Sequence, residues 1–439
     1  MSQTAEPQDP PKKPGTFASL QYPDYRRLWL ATALSQSAGW ALIVLRGALV
    51  YKLTDSNAWV GLVTMAALLP ALLVTPLSGL MADRFDRRRL LAFTYALNLG
   101  HNLILAFIVI SGAATEYHIL ILAIVNGSIR AIEMPTNQAL LPNLVPRERL
   151  QNAVALTQLM QQGSRMMGPL LMLPIIRFFD PEPAFFLSAG LYALGWMQVV
   201  QIKTVSRGMV EASKGVVFNL VAGVRYIYTH PLLLFIMLIA VLHCALTMAF
   251  ESIFPFFSRT ALGLESDREI FEGPTYLMIA VGTGAILGNL ALARVEGLKT
   301  RGRLFLWFGL TSGLAPVLLA FTSNIPTAML AAGAMGAATA GFMTLSHGMV
   351  QAITPDAVRG RVLSGNTWHV QGAMGGFNAV NGVMMDLPWM KATLLLSGTG
   401  LIFVWVMVAS FLVHHLRSIY TRGIPAAIID PAPLPDAPA

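Results

Sequence analysis

The feature that most constrains this chain is a succession of twelve apolar runs. Each is about as long as the roughly 20 residues that cross the hydrocarbon core of a bilayer as a helix. They fall near 29–51, 60–82, 90–110, 118–139, 152–176 and 184–202, then near 232–256, 274–294, 304–321, 327–349, 363–385 and 392–414. Composition agrees: 12% of the 439 residues are charged and 55% are hydrophobic, whereas a soluble domain carries about 25% charged residues. Most of the surface must face something other than water. The expected fold class is an all-α membrane protein of twelve transmembrane helices. Pro70, Pro76, Pro169 and Pro316 inside the runs are compatible with this, because neighbouring helices satisfy the carbonyls that a transmembrane proline frees.

The formal charge of +8 would suggest a nucleic-acid partner in a soluble chain. Here it has a topological source, and no nucleic acid is expected. With the N-terminus in the cytoplasm, 22 of the 30 Lys and Arg fall in cytoplasmic segments. These are Lys12, Lys13, Arg26, Arg27, the Arg84–Arg89 cluster, Arg147, Arg149, Lys203, Arg207, Lys214, Arg225, Arg294, Lys299, Arg301, Arg303, Arg359, Arg361, Arg417 and Arg422. The outer loops hold Lys52, Arg177, Arg259, Arg268 and Lys391, while Arg46, Arg130 and Arg165 lie inside spans. By the positive-inside rule both termini are cytoplasmic, in a multi-pass protein of the cell (inner) membrane. The N-terminal segment has no apolar core of the kind a cleavable signal needs. The single cysteine, Cys244, leaves no internal disulfide framework and no cysteine-based metal site; no cofactor or metal is expected.

A polar stretch divides the chain. Residues 1–20 read as a disordered cytoplasmic tail, 21–202 as an N-terminal six-helix bundle and 203–231 as a cytoplasmic linker. Residues 232–416 read as a C-terminal six-helix bundle, and 417–439 as a proline-rich cytoplasmic tail. Within the linker, VVFNLVAGVRYIY can form an amphipathic helix at the membrane surface. The halves echo each other, QALLPNLVPRERLQNAVAL in the first and VQAITPDAVRGRVLSGN in the second. Parallel repeats of this kind build transporters whose site lies where the halves meet.

Polar groups inside spans are costly and mark functional positions. In the fourth run Asn126, Arg130, Glu133 and Asn137 recur on one helix face, and in the fifth Gln158, Gln161, Gln162 and Arg165 do the same. Two such stripes cannot face lipid, so they should face each other or a watery cavity. Asn98, Asn102, Gln371 and Asn378 are further cavity candidates. At Glu133, desolvation favours the protonated form and nearby arginines the charged one. That balance suits either proton coupling or a static ion pair. Aligning VYKLT with FFSRT places Arg46 beside Glu251, which predicts an outer-gate bridge between them in the inward-open state; each could instead snorkel to the interface. His347 and His369 lie near the inner mouth and His243 in the bundle. Gly284, Gly288, Gly372, Gly375 and Gly376 permit close helix contacts. No HExxH, Walker A or nucleophile-elbow pattern occurs. This speaks against an enzyme and against an ATP-driven pump.

The loop GLMADRFDRRRLL at 79–91 can form salt bridges at the inner mouth that exist in one conformation only. It resembles the signature loop of the major facilitator superfamily, Gly-x-Leu-Ala-Asp-Arg-x-Gly-Arg-Arg. Gly79, Asp83, Arg84, Arg87 and Arg88 match, and Asp86 stands where the second glycine is usual. The stretch IEMPTNQALLPNLVPRERLQNAVAL followed by GSRMMGP is similar to the drug and siderophore exporter branch, the relatives of enterobactin exporters and macrolide efflux proteins. Glu133, Met134, Pro135, Gln138, Arg165, Gly168 and Pro169 match, and Asn137 replaces the usual arginine. VQAITPDAVRGRVLS at 350–364 resembles the same branch. The resemblance implies a secondary transporter working by alternating access, with proton-driven efflux of a small drug- or siderophore-like amphiphile; a monomer is expected. Its partners would be that substrate, protons and the lipid bilayer. The rivals are an importer or lipid transporter on the same fold, and a non-transporting sensor or scaffold.

Overall fold

The computed structural model describes residues 17–206, 216–293, 295 and 297–423. The head, the tail, and Lys12, Lys13, Arg207, Lys214 and Arg294 lie outside them. Among the described residues the fold is helical, without a strand. In chain order the helices are α1 (Pro23–Thr54), α2 (Asn57–Leu68), α3 (Pro70–Arg84), α4 (Arg87–Ile110), α5 (Glu116–Leu140), α6 (Arg147–Phe178), α7 (Ala184–Val200) and α8 (Val216–Thr229). They continue with α9 (Pro231–His243), α10 (Phe254–Leu262), α11 (Glu269–Ala293), α12 (Leu298–Ala320), α13 (Ile325–Ile353), α14 (Asp356–Met385), α15 (Ala392–Ala409) and α16 (His414–Arg422).

Each apolar run coincides with a helix or a broken pair. The second run divides into α2 and α3 at Leu69, where Pro70 can donate no bond to the turn before it. The seventh runs from α9 through a π-helical turn, Cys244–Met248, to α10. Pro255 accounts for this break, since in a continuous helix its ring would clash with the carbonyl of Glu251. Glu251 therefore stands on irregular backbone between two helices. Among the described residues nine helices are long and apolar enough to cross a membrane. The other three runs are α7, which is short, and α6 and α14, whose windows are diluted by glutamine, asparagine and serine. Side chains such as Leu73, Ile121, Trp307, Leu330 and Trp405 stay exposed around the outside, as a lipid-facing waist requires.

Packing joins α1 to α6, α7 and α2, and α4 to α5 and α7; α11, α12, α13 and α15 form a corresponding group. The two halves of the chain meet along α2 with α14 and α6 with α11. At the first contact Gly61 lies on the backbone of Asn378, and Gly382 on that of Asn57. A β-carbon at either position would collide with main chain, so glycine sets the helix separation there. Gly284 and Gly288 likewise abut Gly333 and Ala337, whereas Gly372, Gly375 and Gly376 have no such close contact.

The described ends, at 17 and 423, lie on one face, the terminal face. There the repeated loops end alike: α6 starts directly after Pro146 and α14 after Pro355. The linker segment VVFNLVAGVRYIY is helical as α8. It packs on α14, with Gly223 against the backbone of Arg361 and Tyr226 and Ile227 buried.

Candidate transport site

In the α5 stripe Asn126, Glu133 and Asn137 are buried and Arg130 is half-buried, and the stripe faces α1 and α4. Glu133, 3% exposed, accepts a hydrogen bond from Asn98 Nδ2 at 2.8 Å. Asn98 Oδ1 accepts from Asn126 Nδ2 at 2.9 Å, and Asn102 Nδ2 donates to the Asn98 carbonyl at 2.7 Å. One turn from Glu133, Arg130 Nη2 donates to Gln36 Oε1 at 2.9 Å, with its guanidinium laid on Gly39. Asn137 Nδ2 donates to Thr32 Oγ1 at 2.6 Å, and Tyr95 donates to Ser35 Oγ at 2.9 Å. Thr32, Ser35, Gln36 and Gly39 were not singled out from sequence. Their signal was present, because they recur at helical spacing in the first run. The apolar residues between them masked it.

The two polar stripes do not pack on each other, because α1 stands between α5 and α6. They approach at a cleft toward the terminal face, lined by Thr32, Gln36, Glu133, Asn137, Gln138 and Gln161. Exposure is graded along it: Glu133 and Asn137 are buried, Gln161 is half-buried and Gln138 is exposed. Of the other α6 stripe residues, Gln162 is half-buried and Gln158 exposed.

Arg165 belongs to a second cluster, between the halves. It is buried, with its Cζ 4.8 Å from the Trp40 ring centre and 5.6 Å from that of Phe250. Across from it lies Glu251, whose Oε2 accepts from Asn378 Nδ2 at 3.2 Å. Asn378 Oδ1 takes the Ser252 N–H at 3.2 Å, and Asn381 Nδ2 donates to the Ala249 carbonyl at 2.7 Å. Helix α14 thus satisfies the backbone that Pro255 unwinds. The bridge expected between Arg46 and Glu251 is not among the ion pairs of the described residues. Arg46 is buried among Arg130, Tyr192 and His101 instead. The repeat alignment could not give the rotation of α1. Gln371 is half-buried on α14. His243 is buried against Phe342 and bonded to Ser312 at 2.6 Å, and His369 meets Tyr228 at 3.3 Å.

On the face opposite the termini, the far face, several contacts join the halves. Asp386, at the end of α14, receives the backbone N–H groups of Asn57 (2.7 Å) and Ala58 (3.0 Å) and the Ser56 hydroxyl (2.5 Å). Lys52 pairs with Asp267 at 2.9 Å, Asp55 with Arg259 at 2.5 Å, and Arg177 with Glu272 at 3.0 Å. At the terminal face, Arg87 Nη1 donates to the Ala139 carbonyl and Arg88 Nη1 to that of Ile202, both at 3.0 Å. Asp86 caps α4 by accepting from the Arg88 N–H at 3.0 Å. Arg84 is exposed. The surroundings of Gly79 and the Asp83 side chain lie outside what is described.

The family model of transmembrane secretion effectors matches residues 14–425. The chain belongs to this family of major facilitator transporters. Among relatives of this transporter, the multidrug efflux pump Tap of Mycolicibacterium fortuitum is 23% identical over 397 residues, 88% of this chain and 95% of Tap. The staphyloferrin A transporter of Staphylococcus aureus is 29% identical over 141 residues, 32% of this chain and 36% of that protein. The chain spans 33% of the length of the MFS-type transporter YfiS of Bacillus subtilis, at 26% identity over 33% of its own. Solved transporter structures share the fold, two of them as follows. The nucleoside transporter NupG has a TM-score of 0.68 at 13% identity, covering 90% of this chain and 99% of NupG. A bacterial homologue of the lysosomal transporter Spinster, solved inward-facing and unoccupied, has a TM-score of 0.65 at 14% identity, covering 91% of this chain and 97% of its own. This transporter is therefore an all-α, multi-pass membrane protein of the major facilitator fold, and not an enzyme.

Proposed function

We propose that this transporter exports a small amphiphilic compound by alternating access, in exchange for protons carried at Glu133. The observation that carries the reading is the setting of Glu133. It is a buried carboxylate held by an uncharged partner, Asn98, with no ion pair among the described residues. A polar cleft leads from it toward the terminal face. Burial opposes its charge while Arg130, one turn away, supports it. Small changes in water access would then tip its protonation.

The contacts at the far face support the conformational half of the proposal. They link the halves there, while the graded cleft opens on the terminal side. In the orientation that the basic residues favour, this is an inward-facing state of a monomer in the cell membrane, with its termini in the cytoplasm. The identity of Tap as a multidrug efflux pump over nearly its whole length supports export of a drug-like molecule. Uptake of an amphiphile panel into inverted vesicles tests the reading. Uptake should collapse with an uncoupler and with Glu133→Gln. Uptake that ignores both would sink proton exchange, and accumulation in intact cells rather than inverted vesicles would reverse the direction.

A further inference from the structure

The cluster between the halves has buried polar atoms that no neighbour satisfies. Arg165 leaves Nε and Nη2 without a partner, and Glu251 leaves Oε1 without one. The two arginine atoms lie on the same edge of the planar guanidinium. That edge presents two parallel N–H bonds, the geometry that grips a carboxylate bidentately. The unpartnered atoms of Arg46, Nε and Nη1, lie on different edges and lack this fit. Trp40 and Phe250 stack on the flanks of Arg165. Glu251 borders an apolar cleft formed by Ile43, Val44, Phe254 and Met278. Arg165 and Glu251 do not meet as an ion pair among the described residues, although each bears charge in a span where an unpaired charge is costly.

We propose that this cluster binds a substrate carrying a carboxylate with an adjacent hydroxyl or amine on an apolar, aromatic body. The carboxylate takes the free edge of Arg165, the neighbouring donor bonds Glu251 Oε1, and the body rests against Trp40, Phe250 and the apolar cleft. A plain carboxylate is disfavoured, because it would place a second anion beside Glu251 with no donor between them. A plain cation would satisfy Glu251 and be repelled by Arg165. Arg165 belongs to the first half and Glu251 to the second, so one ligand touches both moving parts. The inference rests on the export reading for its substrate but not on proton coupling.

The test is equilibrium binding to the purified full-length protein without any ion gradient, read by tryptophan fluorescence. The probes are hydroxynaphthoate with adjacent groups, its methyl ester, and naphthoate. The hydroxy acid should bind, with the ester about tenfold or more weaker for loss of the charged fork. Arg165→Lys should weaken the acid about tenfold, because an ammonium cannot present the paired edge. Glu251→Ala should erase the preference for hydroxynaphthoate over naphthoate, and Lys391→Gln should change nothing. Equal binding of acid and ester, indifference to Arg165→Lys, or no binding of the acid up to about 1 mM would overturn the proposal. The ester comparison uses unaltered protein, so it stands even where a variant folds poorly. Uncoupler-insensitive uptake alongside Arg165-dependent binding would remove proton exchange and leave this site intact.

Discussion

The Asp386 contact offers the sharpest test of the proposed closure of the far face. The carboxylate reaches from α14 to the first turn of α2 and accepts the Asn57 and Ala58 N–H groups and the Ser56 hydroxyl. Those amides belong to the helix end that has no intrahelical partners and carries a partial positive charge. A side-chain cap at such an end is worth about 0.5–2 kcal/mol, and the charge–dipole attraction about 0.3–1 kcal/mol. Two facts reduce the sum. Asp386 is exposed, so water competes for the amides. Ser56 also caps α2 itself, accepting from the Trp59 N–H at 3.4 Å. A net of about 1–2 kcal/mol remains for Asp386→Ala, a shift of roughly 5- to 30-fold toward a far-face-open population, because the contact exists only when the halves meet there. The assay places spin labels at Leu53 and Trp389, both exposed, in a Cys244→Ala background, and measures their distance distribution. A longer distance should gain population in the variant. An unchanged distribution with unchanged thermal stability would refute the idea that this cap helps to hold the face closed.

Three other outcomes follow from the geometry. Glu133→Gln keeps an oxygen for Asn98 and should leave the protein folded and substrate-binding, but abolish gradient-driven uptake; gradient-driven transport at the parental rate would exclude Glu133 as the carrier. Gly61→Leu forces a side chain onto the Asn378 carbonyl and should cost about 1–3 kcal/mol as overpacking, seen as a lower unfolding midpoint in detergent. Exchanging the charges at Arg46 and Glu251 should not rescue the single mutants, since the two occupy different clusters; full recovery of transport in the double mutant would restore the bridge that the structure replaces.

Much of this protein is legible in its sequence, because a bilayer imposes rules that act along the chain. A helix crossing lipid satisfies its own backbone locally, so run length and apolarity give the spans without reference to neighbours. The polar positions of α5 and α6 are equally local, and their spacing alone places Arg130 and Glu133 on one face. Two features departed from the run pattern, the breaks at Pro70 and Pro255, and the ring chemistry of proline explains both. The identity of each stripe's partner was not written locally. It depends on the rotation of each helix about its axis, which is set by where glycines let backbones touch. Only the folded chain puts α1 between α5 and α6, turns Arg46 toward Tyr192, and leaves Arg165 facing Glu251. Only the fold brings Asp386 to Ser56 across 330 positions of sequence. The apolar runs determined that this chain is a membrane bundle; tertiary packing decided which of its buried charges meet, because helix rotation is fixed by contacts that no single helix contains.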